Sequence, residues 1–124
     1  MNTKQKGNIG IGAAIAYFSK IGWTVSTPLT DSQDYDIIVD DGDFLYKVQV
    51  KYVAGKAPSG NYTIPLRSIS GTSKKEYKTI IDSYIDYLFV VDAEYNWYLF
   101  PISAVTNKST ITITQELKDK FLVK

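Results

Sequence analysis

The chain contains no cysteine and no histidine. The first absence excludes disulfides and any thiolate zinc site. The second removes imidazole metal ligands, Ser-His triads and the nucleases that cut with a histidine beside a metal. A run of about 18 apolar residues is also missing, so no transmembrane helix is expected. The polar, basic residues 1–6 lead into no long apolar signal core. These absences predict a cytoplasmic protein that does not engage a membrane. Its chemistry must use carboxylates, amides, lysine, tyrosine or backbone groups.

What is present suits one globular domain spanning residues 1–124. Hydrophobic residues make up 44% and charged residues 22% of the 124 positions, enough for a core without crosslinks. A net charge of +1 argues weakly against a dedicated nucleic-acid binder, but the charges are segregated. Residues 31–43 hold six acids (Asp31, Asp34, Asp36, Asp40, Asp41, Asp43) and no base. Residues 44–81 hold seven bases (Lys47, Lys51, Lys56, Arg67, Lys74, Lys75, Lys78) against the single acid Glu76. A metal site beside a phosphate track has this look, as does a solvated surface that happens to be segregated.

Periodicity supplies the elements. Ile11, Ile15 and Phe18 recur at helical spacing among Ala13, Ala14 and Ala16, which predicts a helix over 9–21 ended by Gly22. Strands are expected at 23–26, 35–40, 44–52, 62–66, 84–91 and 97–102, and 110–114 reads as a short strand or an extended approach to the last helix. Asp40-Asp41-Gly42-Asp43 forms a tight turn between the second and third, and 92–96 joins a later hairpin. Residues 72–83 suit a loop or short helix, and Thr114 caps a final helix over 115–121. The order implies an α/β domain, bordering on α+β, built on a mixed sheet flanked by helices.

The third strand carries the chemistry. By alternation, Tyr46, Val48, Val50 and Tyr52 share one face, and Leu45, Lys47, Gln49 and Lys51 share the other. On the preceding strand, Asp36, Ile38 and Asp40 share a face. If the hairpin pairs with a common polar face, Asp36 falls beside Gln49 and Lys51. A carboxylate, an amide oxygen and the backbone carbonyl of Val50 are hard oxygens of the sort Mg²⁺ takes. A bound divalent ion activates water and offsets charge developing on a phosphate. Lys51 is placed to orient or deprotonate the attacking water, or to contact the phosphate. The bland alternative is a polar strand face covered by water. The functional reading requires the two strands to gather Asp36, Gln49 and Lys51 against the opening helix.

The runs Lys6-Gly7-Asn8-Ile9-Gly10, Ala13-Ala14-Ile15-Ala16-Tyr17-Phe18, Gly22-Trp23-Thr24-Val25, Tyr35-Asp36-Ile37-Ile38-Val39 and Val48-Gln49-Val50-Lys51 resemble the small PD-(D/E)XK endonucleases associated with group I introns. More distantly they are similar to archaeal Holliday junction resolvases. Residues 84–91, followed by Trp97-Tyr98-Leu99-Phe100-Pro101-Ile102, look like the later strands of the intron group. The resemblance implies a restriction-endonuclease-like core and a Mg²⁺- or Mn²⁺-dependent cut of duplex DNA. It also implies a homodimer or homotetramer that places two sites on two strands. It makes Asp36 the metal-binding carboxylate and Lys51 the motif lysine. Gln49 stands where most of the superfamily has Asp or Glu, and glutamine is accepted there in the intron group. The family's first-helix glutamate corresponds to Ile11, which leaves Asp36 as the one carboxylate of the motif. Either the site is silenced or it is rearranged around Asp34 or Asp40, and silencing is the preferred explanation.

Other features are less specific. Gly7, Gly10 and Gly12 follow no strand and lack a P-loop Lys-Ser/Thr, so they fit close helix packing better than nucleotide binding. Most of the tyrosines alternate along strands and suit a core or an interface. Lys47, Lys74, Lys75 and Lys78 are candidate DNA contacts, and Asp82 with Asp86 is a weak second acidic pair. Three functions compete: a metal-dependent homing-type DNA endonuclease, a Holliday junction resolvase, and an inactive DNA-binding or self-assembling protein on the same scaffold.

Overall fold

A computed structural model describes residues 1–69, 77–79, 85–105 and 108–124. In chain order they form α1 (Thr3–Lys20), β1 (Thr24–Ser26), β2 (Ile37–Asp40), β3 (Leu45–Val53), β4 (Thr63–Pro65), β5 (Arg67–Ile69), β6 (Tyr77–Thr79), β7 (Tyr87–Asp92), β8 (Trp97–Pro101), β9 (Thr110–Thr112) and α2 (Gln115–Phe121), with a 3₁₀ turn at Ile102–Ala104.

Helix α1 begins at Thr3, well before the apolar period becomes visible. Its start is set by a capping box: the Asn2 side chain accepts from Gln5 N at 2.9 Å, and Asn2 N donates to the Gln5 amide oxygen at 2.9 Å. The first turns are mostly solvent-exposed, so no apolar periodicity marks them. The buried face also differs from the expected one. It is Gly10, Ala13, Ala14 and Phe18, whereas Ile15 is 36% exposed. Small residues let the helix lie close to the sheet: a Cβ on Gly10 would stand 2.9 Å from Val50 Cγ1.

That sheet has five strands in the order β1-β2-β3-β7-β8. β3 and β7 pair in parallel, and the other three pairings are antiparallel. The sheet is therefore mixed, as expected for a restriction-endonuclease-like α/β core. A parallel β3–β7 pair needs a long crossover, and residues 54–86 supply it.

Alternation splits the core in two. Val48, Ile37, Val39, Phe89 and Val91 pack with Ala13, Ala14 and Phe18 on the α1 side. Val53, Leu88, Val90, Tyr98 and Phe100 pack on the other side with Ile64, Ile111 and Ile113. There β4 and β9 form an antiparallel ribbon. Thr114 caps α2 as predicted, accepting from Leu117 N at 3.4 Å, and Phe121 of that helix packs near Phe100 at 5.0 Å between ring centroids. Among the described residues, no helix is long and apolar enough to cross a membrane.

One expectation is corrected in part. Of residues 72–83, which read as a loop or short helix, 72–76 and 80–83 lie outside the described residues, and Tyr77–Thr79 is a strand paired antiparallel with Arg67–Ile69. The partner lies several residues upstream, beyond what local periodicity reveals. Lys74, Lys75, Asp82 and Tyr84 lie outside the described residues, and Lys78 falls on β6.

Candidate active site at the opening between β2 and β3

Six acids crowd the approach to this hairpin, but several are occupied in turns. Asp40 accepts from Gly42 N at 2.8 Å. Asp41 accepts from Asp43 N and Phe44 N, each at 2.8 Å, and from the Tyr46 hydroxyl at 3.0 Å. Those backbone donors hold the Asp41 carboxyl below its ordinary pKa. Asp40 also pairs with Leu45, at the far end of the ladder from Asp36.

Asp36 sits where β2 stops following β3. The ladder ends with Ile37 opposite Val48. Asp36 N still donates to Val48 O at 2.9 Å. One step on, its own carboxylate takes over from the backbone, accepting from Val50 N at 2.7 Å. A side chain thus caps the strand edge, and the next backbone groups of β3 are left facing the gap. The carbonyl of Val50 points to that edge by the alternation of ladder groups.

Continuing the register places Asp36 opposite Gln49. Gln49 and Lys51 are half-buried on the same strand face. Asp36 keeps exposed surface, but protein crowds its carboxyl, and this desolvation raises its pKa. The Val50 amide and the Lys51 charge pull it partly back. Burial lowers the Lys51 ammonium's pKa, and the charge of Asp36 offsets part of that fall. The two groups thus feel each other across a partly dry surface. Lys47 continues the row, exposed, with its ammonium 5.6 Å from the centre of the Tyr35 ring.

The arrangement corrects one spatial expectation. Asp36, Gln49 and Lys51 do come to one face, but not the face that meets the opening helix. Val48 and Val50 of β3 pack on the α1 side, whereas Val53, in line with Lys51, joins the opposite core cluster. The helix reaches the site through the strand backbone instead. Gly10 abuts Val50, and its Cβ position lies 4.0 Å from the carbonyl carbon of Lys51. Ile11, the next residue, is half-buried and packs into the α1-side cluster.

Two contributors escape a reading of the sequence alone. One is the Val50 amide, whose capture by Asp36 is invisible without the register. The other is Gly10 as an individual residue. A glycine inside a helix costs about 1 kcal/mol relative to alanine. Of the three in α1, Gly10 makes the close approach, whereas a Cβ on Gly7 or Gly12 would meet nothing within 4 Å, which corrects the expectation of close packing at those two. Asp86, a candidate member of a second acidic pair, is instead structural. Its carboxylate accepts from Lys47 N at 2.8 Å, and its own N–H donates to Lys47 O at 2.9 Å. Among the described residues, no group of three or more acids is gathered closely enough to hold a metal ion.

Known proteins share this fold. A family model described as PD-(D/E)XK endonuclease matches residues 1–121. Among solved structures, a bacterial homing endonuclease, I-Ssp6803I, is similar with a TM-score of 0.79 and 30% identity, over 93% of this chain and 80% of that one. Hjc, a Holliday junction resolvase from the archaeal hyperthermophile Archaeoglobus fulgidus, is similar with a TM-score of 0.56 and 13% identity, over 94% of this chain and 90% of that one. The second likeness is one of fold alone. No curated protein sequence matches.

Proposed function

The chain belongs to the PD-(D/E)XK endonuclease family, and from that premise we propose that it binds duplex DNA and hydrolyses its phosphodiester bonds in the manner of a homing endonuclease. The observation that carries the reading is geometric: Asp36, Gln49 and Lys51 share one face where β2 parts from β3, and burial there raises the pKa of the Asp36 carboxyl and lowers that of the Lys51 ammonium, each shift partly offset by the other charge. Perturbed, mutually coupled groups on an accessible surface mark candidate catalytic sites.

The donor set fits a hard divalent cation, Mg²⁺ or Mn²⁺. Asp36 supplies a carboxylate, Gln49 an amide oxygen and Val50 a backbone carbonyl. Mg²⁺ is commonly held by one or two protein carboxylates together with substrate phosphates, so a single aspartate suffices when DNA completes the shell. The bound ion supplies water activation and neutralises charge on the phosphate. Val50 N fixes one oxygen of Asp36 and so sets the direction of the other. Lys51, with its ammonium pKa lowered by burial, is suited to hold or accept a proton from the attacking water. Lys47 extends the positive row along the phosphates, with Lys74, Lys75 and Lys78 as further candidate contacts. Two copies or four, each offering one site, would address both strands of a duplex.

Ile11 favours a second reading, a silenced nuclease that still binds DNA. It fills with hydrocarbon the family's glutamate position, on the helix turn that abuts Val50. Charge on Asp36 alone compensates poorly for stripping water from the ion, so metal binding depends on DNA being present. Ile11→Glu is therefore expected to raise Mg²⁺-dependent nicking of supercoiled plasmid by at least about tenfold, equivalent to roughly 1.4 kcal/mol of barrier. A substituted protein that nicks no faster than the parent would remove this account of position 11. Cleavage of four-way junctions in preference to linear duplex would replace homing-type activity with resolution. Salt-dependent DNA binding without cleavage in either metal would support the silenced form.

A further inference from the structure

The β4–β9 ribbon lies next to the proposed site and is not needed for its chemistry. Its inner face is apolar and buried through Ile64 and Ile111. Alternation turns the cross-strand pairs Thr63–Thr112 and Pro65–Thr110 outward. Pro65 has no N–H to offer a further strand, so the ribbon resists extension by edge pairing. Residues 54–66 and 108–114 contain no acid, and they carry Lys56 and Lys108, both exposed. Between the ribbon and the end of β3 runs a groove of about 380 Å³, walled by Val53, Ala54 and Gly55 on one side and by Thr63, Pro65 and Thr110 on the other. Val53 follows Lys51 on the same strand face at a spacing of about 7 Å. The groove therefore starts one side-chain step from the proposed phosphate site.

We infer that the outer face of this ribbon reads base edges in the major groove of duplex DNA, within a few base pairs of the phosphate addressed by Asp36 and Lys51; the inference rests on the nuclease reading above. A two-stranded ribbon fits the major groove of B-DNA. The threonine methyls suit thymine methyl groups, and the flanking lysines suit phosphates. Thr63 gives the reading a direction. Its hydroxyl donates to Gly55 O at 3.3 Å, and its N–H donates to the same carbonyl at 2.9 Å. With its hydrogen committed, that hydroxyl presents lone pairs to a ligand. It is thus an acceptor, matched to the amino group of adenine or cytosine and mismatched to the acceptor edge of guanine.

The test is selection of bound duplexes from a randomised pool in Ca²⁺, followed by titration of the enriched sequence and of its single-base variants. The parent should enrich a sequence with adenine or cytosine at one discriminating position. Thr63→Val keeps the β-branched shape and should lose that preference by about tenfold, while Thr63→Ser, which retains the hydroxyl, should keep it. Lys108→Gln should weaken all duplexes alike and flatten the salt slope. Melting curves matching the parent's show that each variant is folded. A parent that binds duplexes with no sequence preference, or a Thr63→Val protein that enriches the parent's sequence, overturns the ribbon as the reader. A parent that binds no duplex at any salt concentration overturns the nuclease reading itself.

Discussion

Two aspartates at strand ends show how one residue type serves opposite purposes. Asp92 closes β7 and is fully buried. Its carboxylate accepts from Glu94 N at 2.9 Å, Asn96 N at 3.0 Å, the Asn96 amide at 3.0 Å and the Tyr98 hydroxyl at 3.1 Å. Tyr98 is pushed well above its ordinary pKa by burial and by that carboxylate. The network reaches the β4–β9 ribbon through Tyr62, whose hydroxyl donates to Glu94 at 2.9 Å and is pushed up to about 12. Asp36, by contrast, has a single backbone donor shown on its carboxylate and a raised pKa. Saturation by donors makes Asp92 a structural tie. The shortfall at Asp36 leaves its carboxylate with acceptor capacity to spare, which is what the proposed metal site would draw on.

Substitutions at the two positions should separate these roles. Asp92→Ala would strand several buried donors at once, each worth about 1–3 kcal/mol. A loss of at least about 3 kcal/mol in urea unfolding is expected, and a loss below about 1 kcal/mol would show that the hairpin closes without it. Asp36→Ala should lose the cap on Val50 N at a smaller cost of about 1–2 kcal/mol, together with any cleavage. Asp36→Asn keeps an acceptor for Val50 N, so it should abolish metal-dependent activity without the loss of stability expected of the alanine variant. The pH dependence sharpens the point. A folded-state pKa raised above the unfolded value means that the favourable contribution of neutral Asp36 is lost as pH rises through the carboxylate range. Asp36→Asn should therefore gain stability on the parent over that rise. A constant gap across the titration would show that Asp36 is not desolvated.

Lys51→Met should give the smallest change. The folded-state ammonium pKa is depressed, so keeping Lys51 charged at neutral pH opposes folding. Methionine should raise the melting temperature slightly, by under about 1 kcal/mol of stability, while eliminating nicking. A lower melting temperature would make Lys51 a structural partner of Asp36 instead of a reactive group.

Legibility in the sequence varies by element. The β2–β3 hairpin follows from alternation and the Asp40-Asp41-Gly42-Asp43 turn. The Thr114 cap and α2 match their expected residues. The start of α1 escapes because a polar capping box, not an apolar stripe, defines it. The exposure of Ile15 escapes because helical spacing names a face without saying how close the sheet lies. Gly10 moves that contact toward the small residues.

Residue order alone specifies which groups are available: one motif carboxylate, an amide, two lysines, and hydrocarbon at position 11. Alternation along β3 also specifies that Gln49 and Lys51 share a face, because side-chain direction in a strand follows from local backbone geometry. Folding in three dimensions sets where β2 parts from β3, that the Asp36 carboxylate fills the vacated backbone position at Val50 N, and that the site faces away from α1. Those outcomes depend on pairing and packing between segments far apart in the chain, and local residue preferences carry no record of such contacts.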